Sequence, residues 1–447
     1  MSNTIRIKKG LDIKLQGKAE LVVETPLSSA TFAIKPSDFK GLVPKLSVKA
    51  DDIVKAGTPI IHDKYNPEIQ FVSPVSGKVV NINRGDHRMI LEVIIESDNK
   101  NDSIEFNVSG WKSAGREEII KQLLDSGLWP YIIQRPFGLI AKPSDTPRDI
   151  FVSGFDSAPL APDFDFIVGT ETAAFQTGLE VLSKLTSGKV FLGLRNGSKL
   201  SSMKGVEINY FEGPHPAGNV GIQIHHLKPI DKGINVWTLS PQAVLFIGRL
   251  FTNGKLDFSE TIAITGSEVK SPCYLKTISG AEINSLVAGR TKKEVNERII
   301  SGNVLTGVKS DSNGYLGFYH NQITVIPEGD NYEFMGWAMP RFNKFSVSRA
   351  YFSWLNPGKK YRADANLNGE ERAYVMTGQY EKVLPMEILP VHLIKAIIAE
   401  DFDKMEQLGI YEVIEEDMAL CEYVCTSKIE VQQILRKGIS LVVKELG

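Results

Sequence analysis

Short apolar stretches separated by glycines follow one another along residues 30–97. Two pairs of strands joined by a turn are indicated, by VKADDIVKAGTPIIHD and by FVSPVSGKVVNINRGD. Gly57, Gly77 and Gly85 stand where a tight turn needs a permissive backbone. We therefore predict that residues 1–100 form an N-terminal strand followed by a small β-sandwich closed on itself.

Helix and strand patterns alternate in residues 101–255. A helix is predicted for residues 114–128, where two glutamates open the segment and apolar residues share one face. A second helix begins after the cap Thr170 and ends by Gly188, and a third begins after the cap Ser240. Buried strands are predicted for RDIFVSGFD, DFDFIVG and KVFLGL. Strand, helix and strand at this spacing indicate a Rossmann-like α/β domain with a parallel sheet.

The rest of the chain falls into three predicted units. In residues 256–330, strand patterns surround one short helix, an order that fits a small β-grasp domain. Residues 331–384 are rich in Gly, Asn, aromatic residues and Arg without periodicity, which predicts an irregular connector. Residues 385–447 repeat apolar positions about every 3.6 residues, which predicts a C-terminal helical domain. The predicted fold class is thus multidomain, with α/β and α+β parts.

Length and composition narrow the class of protein. A chain of 447 residues is too long for a single hydrophobic core and has the length of about three or four domains. Its 42% hydrophobic and 23% charged residues are typical of a soluble protein, and a net charge of -2 gives no reason to expect a nucleic-acid partner. No apolar run reaches the roughly 18 residues of a membrane span, and the N-terminus lacks a signal-peptide pattern. Because three cysteines cannot build a disulfide framework, we expect a cytoplasmic protein.

Three of the seven histidines lie in one stretch, FEGPHPAGNVGIQIHH. A zinc site needs about four ligands, and no cysteine lies near. If IQIHH is a strand, His225 and His226 point to opposite faces. His215 stands between two prolines, whose rings hold it in an extended loop. The stretch is either a shaped binding loop or a plain structural turn. The candidate site residues are Gly213, Pro214, His215, Pro216, Gly218 and His225.

Several common catalytic patterns are missing from the sequence. It contains no Gly-x-Gly-x-x-Gly, no Walker lysine loop, no His-Glu-x-x-His and no Gly-x-Ser-x-Gly. The stretch GPHPAG has the outer glycines of a phosphate loop, but Asn219 and Val220 stand where lysine and Ser/Thr belong. Cys421 and Cys425 would share one helix face, yet an iron–sulfur cluster needs about four thiolates and only Cys273 remains. Nucleotide, hydrolase and complete cluster sites are therefore poorly supported.

A lysine near the first turn raises the question of a carrier domain. The stretch VSPVSGKVVNI resembles the barrel-sandwich of biotinyl-lipoyl domains, which carry a cofactor on a lysine at a hairpin tip, typically in Asp-Lys-Ala. Here Asp63 and Lys64 are followed by Tyr-Asn-Pro-Glu, and two extra residues separate them from Ser73. We interpret residues 1–100 as a structural module, with a modified Lys64 as the alternative.

Four long motifs resemble, in the same order, the A subunit family of the bacterial Na+-translocating NADH:quinone reductase. They are SGLWPYIIQRPFG, EGPHPAGNVGIQIHH, MTGQYEKVLPMEILPVHLIKAI (with MTG in place of PTG) and DMALCEYVC, and the resemblance runs from IKKGLDI to the final helix. The family is similar to the flavin-carrying subunit of complex I and to the C subunit of the Rnf complex. That likeness implies a complex-I-flavin-subunit-like α/β domain, a β-grasp domain of the SLBB type and a helical domain.

Two cofactor sites of those relatives are altered in this chain. Where they carry a glycine-rich loop for the flavin phosphate, bulky Trp129, Tyr131 and Ile132 would fill that space. Where they carry four cysteines, only Cys421 and Cys425 remain. The resemblance therefore implies a chain that binds no flavin, iron–sulfur cluster or metal of its own.

The resemblance to this family implies that the chain is one subunit of a six-subunit membrane complex. That complex oxidises NADH, reduces quinone and exports Na+. This polypeptide would be peripheral, on the cytoplasmic face of the bacterial inner membrane and against the membrane-embedded B subunit. NADH, flavins and the iron–sulfur cluster would belong to other subunits, and the isolated chain would be inactive. His215 or His225 would donate a hydrogen bond and a proton to quinone, with a pKa near working pH. The alternative is an assembly or docking role with no ligand site.

Overall fold

The computed structural model describes residues 4–25, 29–311, 313–329, 333–339 and 341–446. The strands are, in chain order, β1 Thr4–Arg6, β2 Val23–Glu24, β3 Thr31–Ile34, β4 Pro44–Leu46, β5 Ile53–Val54, β6 Pro59–Asp63, β7 Gln70–Val72, β8 Gly77–Arg84, β9 Ile90–Ser97, β10 Ile133–Arg135, β11 Leu139–Ile140, β12 Ile150–Ser153, β13 Val190–Leu194, β14 Glu207–Glu212, β15 Val236–Leu239, β16 Ser259–Thr265, β17 Cys273–Ile278, β18 Glu297–Ser301, β19 Val308–Ser310 and β20 Gln322–Pro327. The helices are α1 Arg116–Asp125, α2 Phe164–Val168, α3 Thr172–Ser183, α4 Val220–Leu227, α5 Pro241–Asn253, α6 Ile283–Val287, α7 Tyr380–Val383, α8 Pro390–Ile398, α9 Phe402–Gln407, α10 Glu415–Tyr423 and α11 Val431–Glu445.

The sandwich unit consists of two small sheets, ordered β3–β9–β8–β5 and β4–β6–β7. Apolar residues that alternate along the strands, such as Ile60, Val79 and Ile95, are fully buried between the sheets. Lys64 is exposed just after β6, and its backbone N–H donates to the Val43 carbonyl at 2.9 Å. Lys64 therefore continues the pairing of β6 with β4 instead of standing at the tip of the hairpin.

The α/β unit is built on a seven-stranded sheet with the order β1–β14–β13–β12–β15–β10–β11. Its first five strands are parallel, and β10 and β11 complete the edge in antiparallel pairing. This confirms the parallel sheet predicted from the alternating pattern. The helix after Thr170 begins one residue later than predicted, after Glu171, and ends at Ser183, well before Gly188.

One predicted strand of this unit, and one stretch considered as a strand, are helices. The stretch DFDFIVG forms α2, because the Asp163 carboxylate accepts the Phe166 N–H at 3.1 Å and caps a helical turn. The stretch IQIHH belongs to α4, so the expectation that His225 and His226 face opposite sides of a strand is wrong. Apolar stretches of five residues fit both the strand and the helix period, and here the turns that precede them start a helix.

The β-grasp unit is a six-stranded sheet with the order β19–β18–β20–β16–β17–β2, and α6 lies beside it. The short strand β2 reaches this sheet from the N-terminal segment, just as β1 joins the sheet of the α/β unit. In the described part of residues 333–379, the chain contains two turns of 3-10 helix, Gly336–Ala338 and Phe352–Leu355. The irregular connector predicted for residues 331–384 ends earlier than expected, because Tyr380 and Val383 are buried in the core of the helical unit as part of α7.

The helical unit packs α7 to α11 around one apolar core. The stretch VHLIKAIIAEDFDKMEQLG is two helices, because Glu400 has a positive φ of 53° and Asp401 caps α9 by accepting the Lys404 N–H at 3.2 Å. Ile7, Ile13 and Leu15 of the N-terminal segment are buried in the same core. None of the helices in the described ranges is long and apolar enough to cross a bilayer.

Candidate functional site

A cavity of about 710 Å³ opens where the parallel strands of the α/β unit end. Ser153 at the end of β12 and Leu239 at the end of β15 both line it. The chain adds β13 and β14 on one side of β12 and then returns to add β15 on the other side, so the direction of winding reverses between β12 and β15. Ligands of open α/β sheets bind in the crevice at such a switch point. We call this space the switch-point cavity.

Aromatic rings from two units form one wall of the cavity. Tyr131 of the α/β unit stacks on Phe318 of the β-grasp unit, with ring centroids 4.3 Å apart and planes 23° apart. Tyr319 packs edge-on against Phe318 at 4.9 Å, and its hydroxyl donates to the Pro130 carbonyl at 2.8 Å. This wall offers a flat apolar surface against which a ring can stack.

Two helices begin at the cavity. Asn219 precedes α4 and Ser240 precedes α5, and both residues line the space. The Ser240 hydroxyl caps α5 by accepting the Ala243 N–H at 3.2 Å, as its serine–proline sequence predicts. A helix N-terminus carries partial positive charge, so the site favours a ligand on which negative charge develops.

His215 lines the cavity and is only 4% exposed. Its Nδ1 shares a hydrogen bond with the Ser157 hydroxyl at 3.0 Å, and that hydroxyl also accepts the Gly218 N–H at 2.8 Å. Burial lowers the pKa of His215 to about 4. The imidazole is therefore neutral at pH 7, and the expectation of a pKa near working pH is wrong for this residue.

The loop around His215 is a compact turn and not the extended loop that its prolines suggest. The Ala217 N–H donates to the Pro214 carbonyl and the Asn219 N–H to the Pro216 carbonyl, both at 2.9 Å. The His215 N–H donates to the Asp12 carboxylate at 2.9 Å.

The N-terminal segment packs closely on this turn. A Cβ added at Gly213 would lie 2.2 Å from the Ile7 carbonyl oxygen, and one added at Gly10 would lie 2.2 Å from the His215 carbonyl oxygen. Of the six candidate residues, His215 and Gly218 line the cavity, while Gly213, Pro214 and Pro216 shape the turn behind them.

His225 lies outside the cavity, in the last turn of α4. Its Nε2 accepts the Glu387 N–H at 3.1 Å, and its Nδ1 bonds to the Glu412 carboxylate at 2.7 Å. Because Nε2 is an acceptor, the ring proton is on Nδ1, and this N–H donates a hydrogen bond to the Glu412 carboxylate. Both nitrogens thus tie α4 to the helical unit, so the structure does not bring His225 together with His215.

Charged side chains in one wall of the cavity were not predicted from the sequence. The Arg135 guanidinium, 1% exposed, donates to the Asp417 carboxylate at 2.5 Å and to the Glu416 carboxylate. Arg436 forms a two-pronged pair with Glu415, which Lys40 also contacts at 2.8 Å. The one signal in the sequence is a charged residue inside the apolar stretch YIIQRPFG, and its partners lie far away in the chain.

Family models match three parts of the chain. A model described as the NqrA N-terminal barrel-sandwich hybrid domain matches residues 5–98. One described as the NqrA second alpha/beta domain matches residues 114–256, and one described as the NQRA C-terminal domain matches residues 261–312. These matches confirm the multidomain fold class.

Curated relatives match from end to end. The A subunit of the Na(+)-translocating NADH-quinone reductase of Psychromonas ingrahamii is 41% identical over 99% of this chain and 100% of its own length. Those of Photorhabdus laumondii and Saccharophagus degradans are 38% and 39% identical over 99% of this chain and 100% of theirs. The chain belongs to this family of A subunits. It is therefore a subunit of an oxidoreductase complex of this kind.

Among solved structures, an NAD+-reducing [NiFe]-hydrogenase in the air-oxidized state aligns with a TM-score of 0.36 and 12% identity. The alignment covers 67% of this chain and 55% of that one.

The flavin phosphate loop of the family's relatives does not fit this chain. Trp129 and Ile132 are fully buried, and the Trp129 indole N–H donates to the Ala141 carbonyl at 2.7 Å. The N–H groups of Tyr131, Ile132 and Gly138 all donate to nearby carbonyls, so they are not free to hold a phosphate. Tyr131 also lines the switch-point cavity, which lies beside this segment.

A cluster does not fit the two remaining cysteines either. Cys421 and Cys425 are 0% and 2% exposed, and burial raises the pKa of the Cys421 thiol well above its usual range. An iron–sulfur cluster needs about four thiolate ligands, and this pair supplies two of them. Within the ranges that the structure describes, no group of three or more His, Cys, Asp or Glu is placed to hold a metal ion.

Proposed function

We propose that this chain contributes to quinone binding, and that the switch-point cavity is where the quinone head group binds. The observation that carries the proposal is the position of the cavity at the ends of β12 and β15, with an aromatic wall on one side and two helix N-termini on the other. Its volume of about 710 Å³ is within the usual range of small-molecule sites.

His215 would act in this site as a neutral hydrogen-bond donor. The Ser157 hydroxyl accepts from Gly218, so its own proton can point to Nδ1 of His215 and leave the ring proton on Nε2. An N–H at Nε2 can donate to a quinone carbonyl. With a pKa of about 4, the residue binds and orients the quinone but does not supply its protons. The partial charges of α4 and α5 would stabilise the negative charge that reduction places on the quinone oxygens.

The setting of this site follows from quinone chemistry. Quinones are apolar and dissolve in the bilayer, so a quinone site here requires contact with a membrane-embedded neighbour. We infer that this neighbour is the B subunit of a six-subunit complex, which couples NADH oxidation to Na+ export on the cytoplasmic side of the bacterial inner membrane. Flavins and the iron–sulfur cluster would lie on other subunits, because the phosphate loop and the cysteines of this chain do not fit them.

The second candidate function is assembly or docking without a ligand. The polar groups of the His215 turn favour it, since the His215 N–H, its Nδ1 and the Gly218 N–H all have partners within the chain. A turn held in this way is consistent with a structural role for the loop.

Kinetics of the assembled complex separate these functions. Thr306 is exposed at the cavity rim, so Thr306→Trp adds bulk to the cavity without burying it in a core. We expect the KM for quinone to rise about tenfold, with subunit content and NADH affinity unchanged. His215→Gln should raise the KM about two- to thirteenfold, since one neutral hydrogen bond contributes about 0.5–1.5 kcal/mol.

Two control variants test whether the changes in KM are specific to the cavity. Thr252→Trp places the same side chain at the exposed end of α5, and His226→Gln changes a histidine that bonds to the Ile222 carbonyl. Both should leave the KM for quinone as in the wild type. Unchanged KM values in Thr306→Trp and His215→Gln would exclude quinone from this cavity. If those variants instead reduce the yield of complete complex at normal KM, the docking function is favoured.

A further inference from the structure

Residues 341–362 combine aromatic and basic side chains without an acid. The stretch holds six aromatic residues and six lysines or arginines, and no Asp or Glu. Several of its large apolar side chains are open to solvent: Trp354 is 51% exposed, Leu355 57% and Phe342 60%. Contiguous exposed apolar residues mark contacts with other molecules. We call residues 341–362 the basic aromatic segment.

Internal contacts hold this segment in a defined shape. The rings of Phe342 and Phe352 lie 5.4 Å apart, and the Lys359 ammonium donates to the Phe342 carbonyl at 2.8 Å. The Ser346 hydroxyl accepts the Tyr351 N–H at 3.0 Å. These contacts link the start, middle and end of the segment, so its exposed apolar residues belong to one folded segment.

The last residues of the basic aromatic segment contact the rest of the chain. Tyr361 is 4% exposed, and its backbone N–H donates to the Lys14 carbonyl at 2.7 Å. Arg362 pairs at 2.7 Å with Glu268, whose side chain is fully buried. Trp354 and Leu355 lie on a 3-10 turn away from this anchor in sequence and remain in solvent.

Two exposed cations lie within six residues of Trp354 and Leu355 in the sequence, while Arg341 and Lys344 pair with Glu333. Arg349 and Lys360 are exposed, and neither side chain has an ion-pair partner among the residues that the structure describes. Lys14 adds a further cation, since its ammonium donates to the Pro357 carbonyl. Exposed cations that are close in sequence to an exposed tryptophan and leucine match a surface that is anionic outside and apolar beneath.

We propose that the basic aromatic segment binds the surface of an anionic phospholipid bilayer. Arg349, Lys360 and Lys14 would face the lipid phosphates, while Trp354 and Leu355 enter the boundary between head groups and acyl chains. Irregular backbone suits the head-group layer, where water and phosphates can satisfy its polar groups. Protein interfaces share the enrichment in aromatic residues and Arg but are depleted in Lys, so the three lysines of the segment are the feature that favours a bilayer. The proposal is independent of where quinone binds.

Sedimentation of the full chain with lipid vesicles tests this proposal. One set of vesicles is phosphatidylcholine alone, and the other contains about 30% phosphatidylglycerol, enough to give a negative surface. We expect at least tenfold stronger partition to the anionic vesicles, weakened by salt because the attraction is electrostatic. The double variants Trp354→Ser/Leu355→Ser and Arg349→Glu/Lys360→Glu should each lower that partition at least tenfold.

Control variants on the sandwich unit match these changes. Met89→Ser/Leu91→Ser removes exposed apolar residues, and Lys45→Glu/Lys49→Glu reverses exposed charges, so both should bind vesicles as the wild type does. Equal partition to both vesicle types would overturn the proposal, as would anionic binding that the segment variants leave intact. Absence of vesicle binding, with loss of complex assembly in Trp354→Ser/Leu355→Ser, would assign the segment to a protein partner and also overturn it.

Discussion

His215 and His225 belong to one stretch of sequence, yet their surroundings give them different chemistry. His215 is buried at the cavity with one hydroxyl partner, and its pKa is lowered to about 4. His225 is bonded at both nitrogens to the helical unit. The hydrogen-bond partners of each histidine therefore decide its role, and of these two residues His215 is the one that lines the cavity.

The buried state of His215 predicts a pH dependence of stability. Its pKa is lower in the folded chain than the 6.5 of an exposed histidine, so the unfolded chain binds the proton first as pH falls. The stabilising contribution is complete above pH 6.5 and is lost between about pH 6.5 and about pH 4. Between pH 8 and pH 5 the wild type should lose about 2 kcal/mol that His215→Gln does not lose.

Urea unfolding at several pH values checks this prediction. His320 also has a pKa lowered to about 4 by burial and adds a loss of the same sign, so the difference between wild type and variant is the quantity to compare. Parallel curves for the two proteins from pH 8 to pH 5 would contradict a buried neutral His215.

At the scale of elements, Arg135 of β10 joins the α/β unit to the first turn of α10. Both Arg135 and Asp417 are buried, and the Asp417 carboxylate also accepts the Ile414 N–H at 3.0 Å. Arg135→Met should destabilise the chain by about 3–5 kcal/mol, because it leaves Asp417 buried without its cation. Arg135→Met/Asp417→Leu should recover most of this loss, less about 1 kcal/mol for the helix cap. Equal losses in the single and double variants, measured by urea unfolding, would rule out this account.

The contact between α3 and α5 depends on two glycines that face each other. A Cβ on Gly178 would lie 2.2 Å from the Val244 carbonyl oxygen, and one on Gly248 would lie 1.8 Å from that of Ala174. Gly248→Ala should therefore destabilise the chain by about 1–3 kcal/mol, although alanine favours helices, because the two backbones must move apart. Thr177→Ala on α3 is the control and should change thermal unfolding little. A Gly248→Ala protein as stable as the wild type would show that the helices can separate freely.

For the whole molecule, local patterns predicted the units but not their assembly. The helix periods of α1 and α11 and the cap of α5 are written within a few residues, so the sequence was sufficient for them. The short apolar stretches of α2 and α4 fit both the strand period and the helix period, so their sequence alone does not distinguish the two structures. Lys40 forms an ion pair with Glu415 in the cavity wall, and β1 pairs with β14 in the sheet of the α/β unit. Contacts between such distant residues leave no local signal.

Because the sandwich, α/β, β-grasp and helical units all line the cavity, a ligand there should stabilise the molecule as a whole. A soluble short-chain quinone at about 100 times its Kd would add about 2.7 kcal/mol, and a chain of this size should then unfold roughly 3 °C higher. Thr306→Trp narrows the rim and should abolish the shift, whereas Thr252→Trp should retain it. The whole unfolding transition should move to higher temperature, because all four units contribute residues to the binding site. If Thr306→Trp shows the same shift as the wild type, the quinone binds elsewhere on the chain, and the cavity between the four units would then serve only to join them.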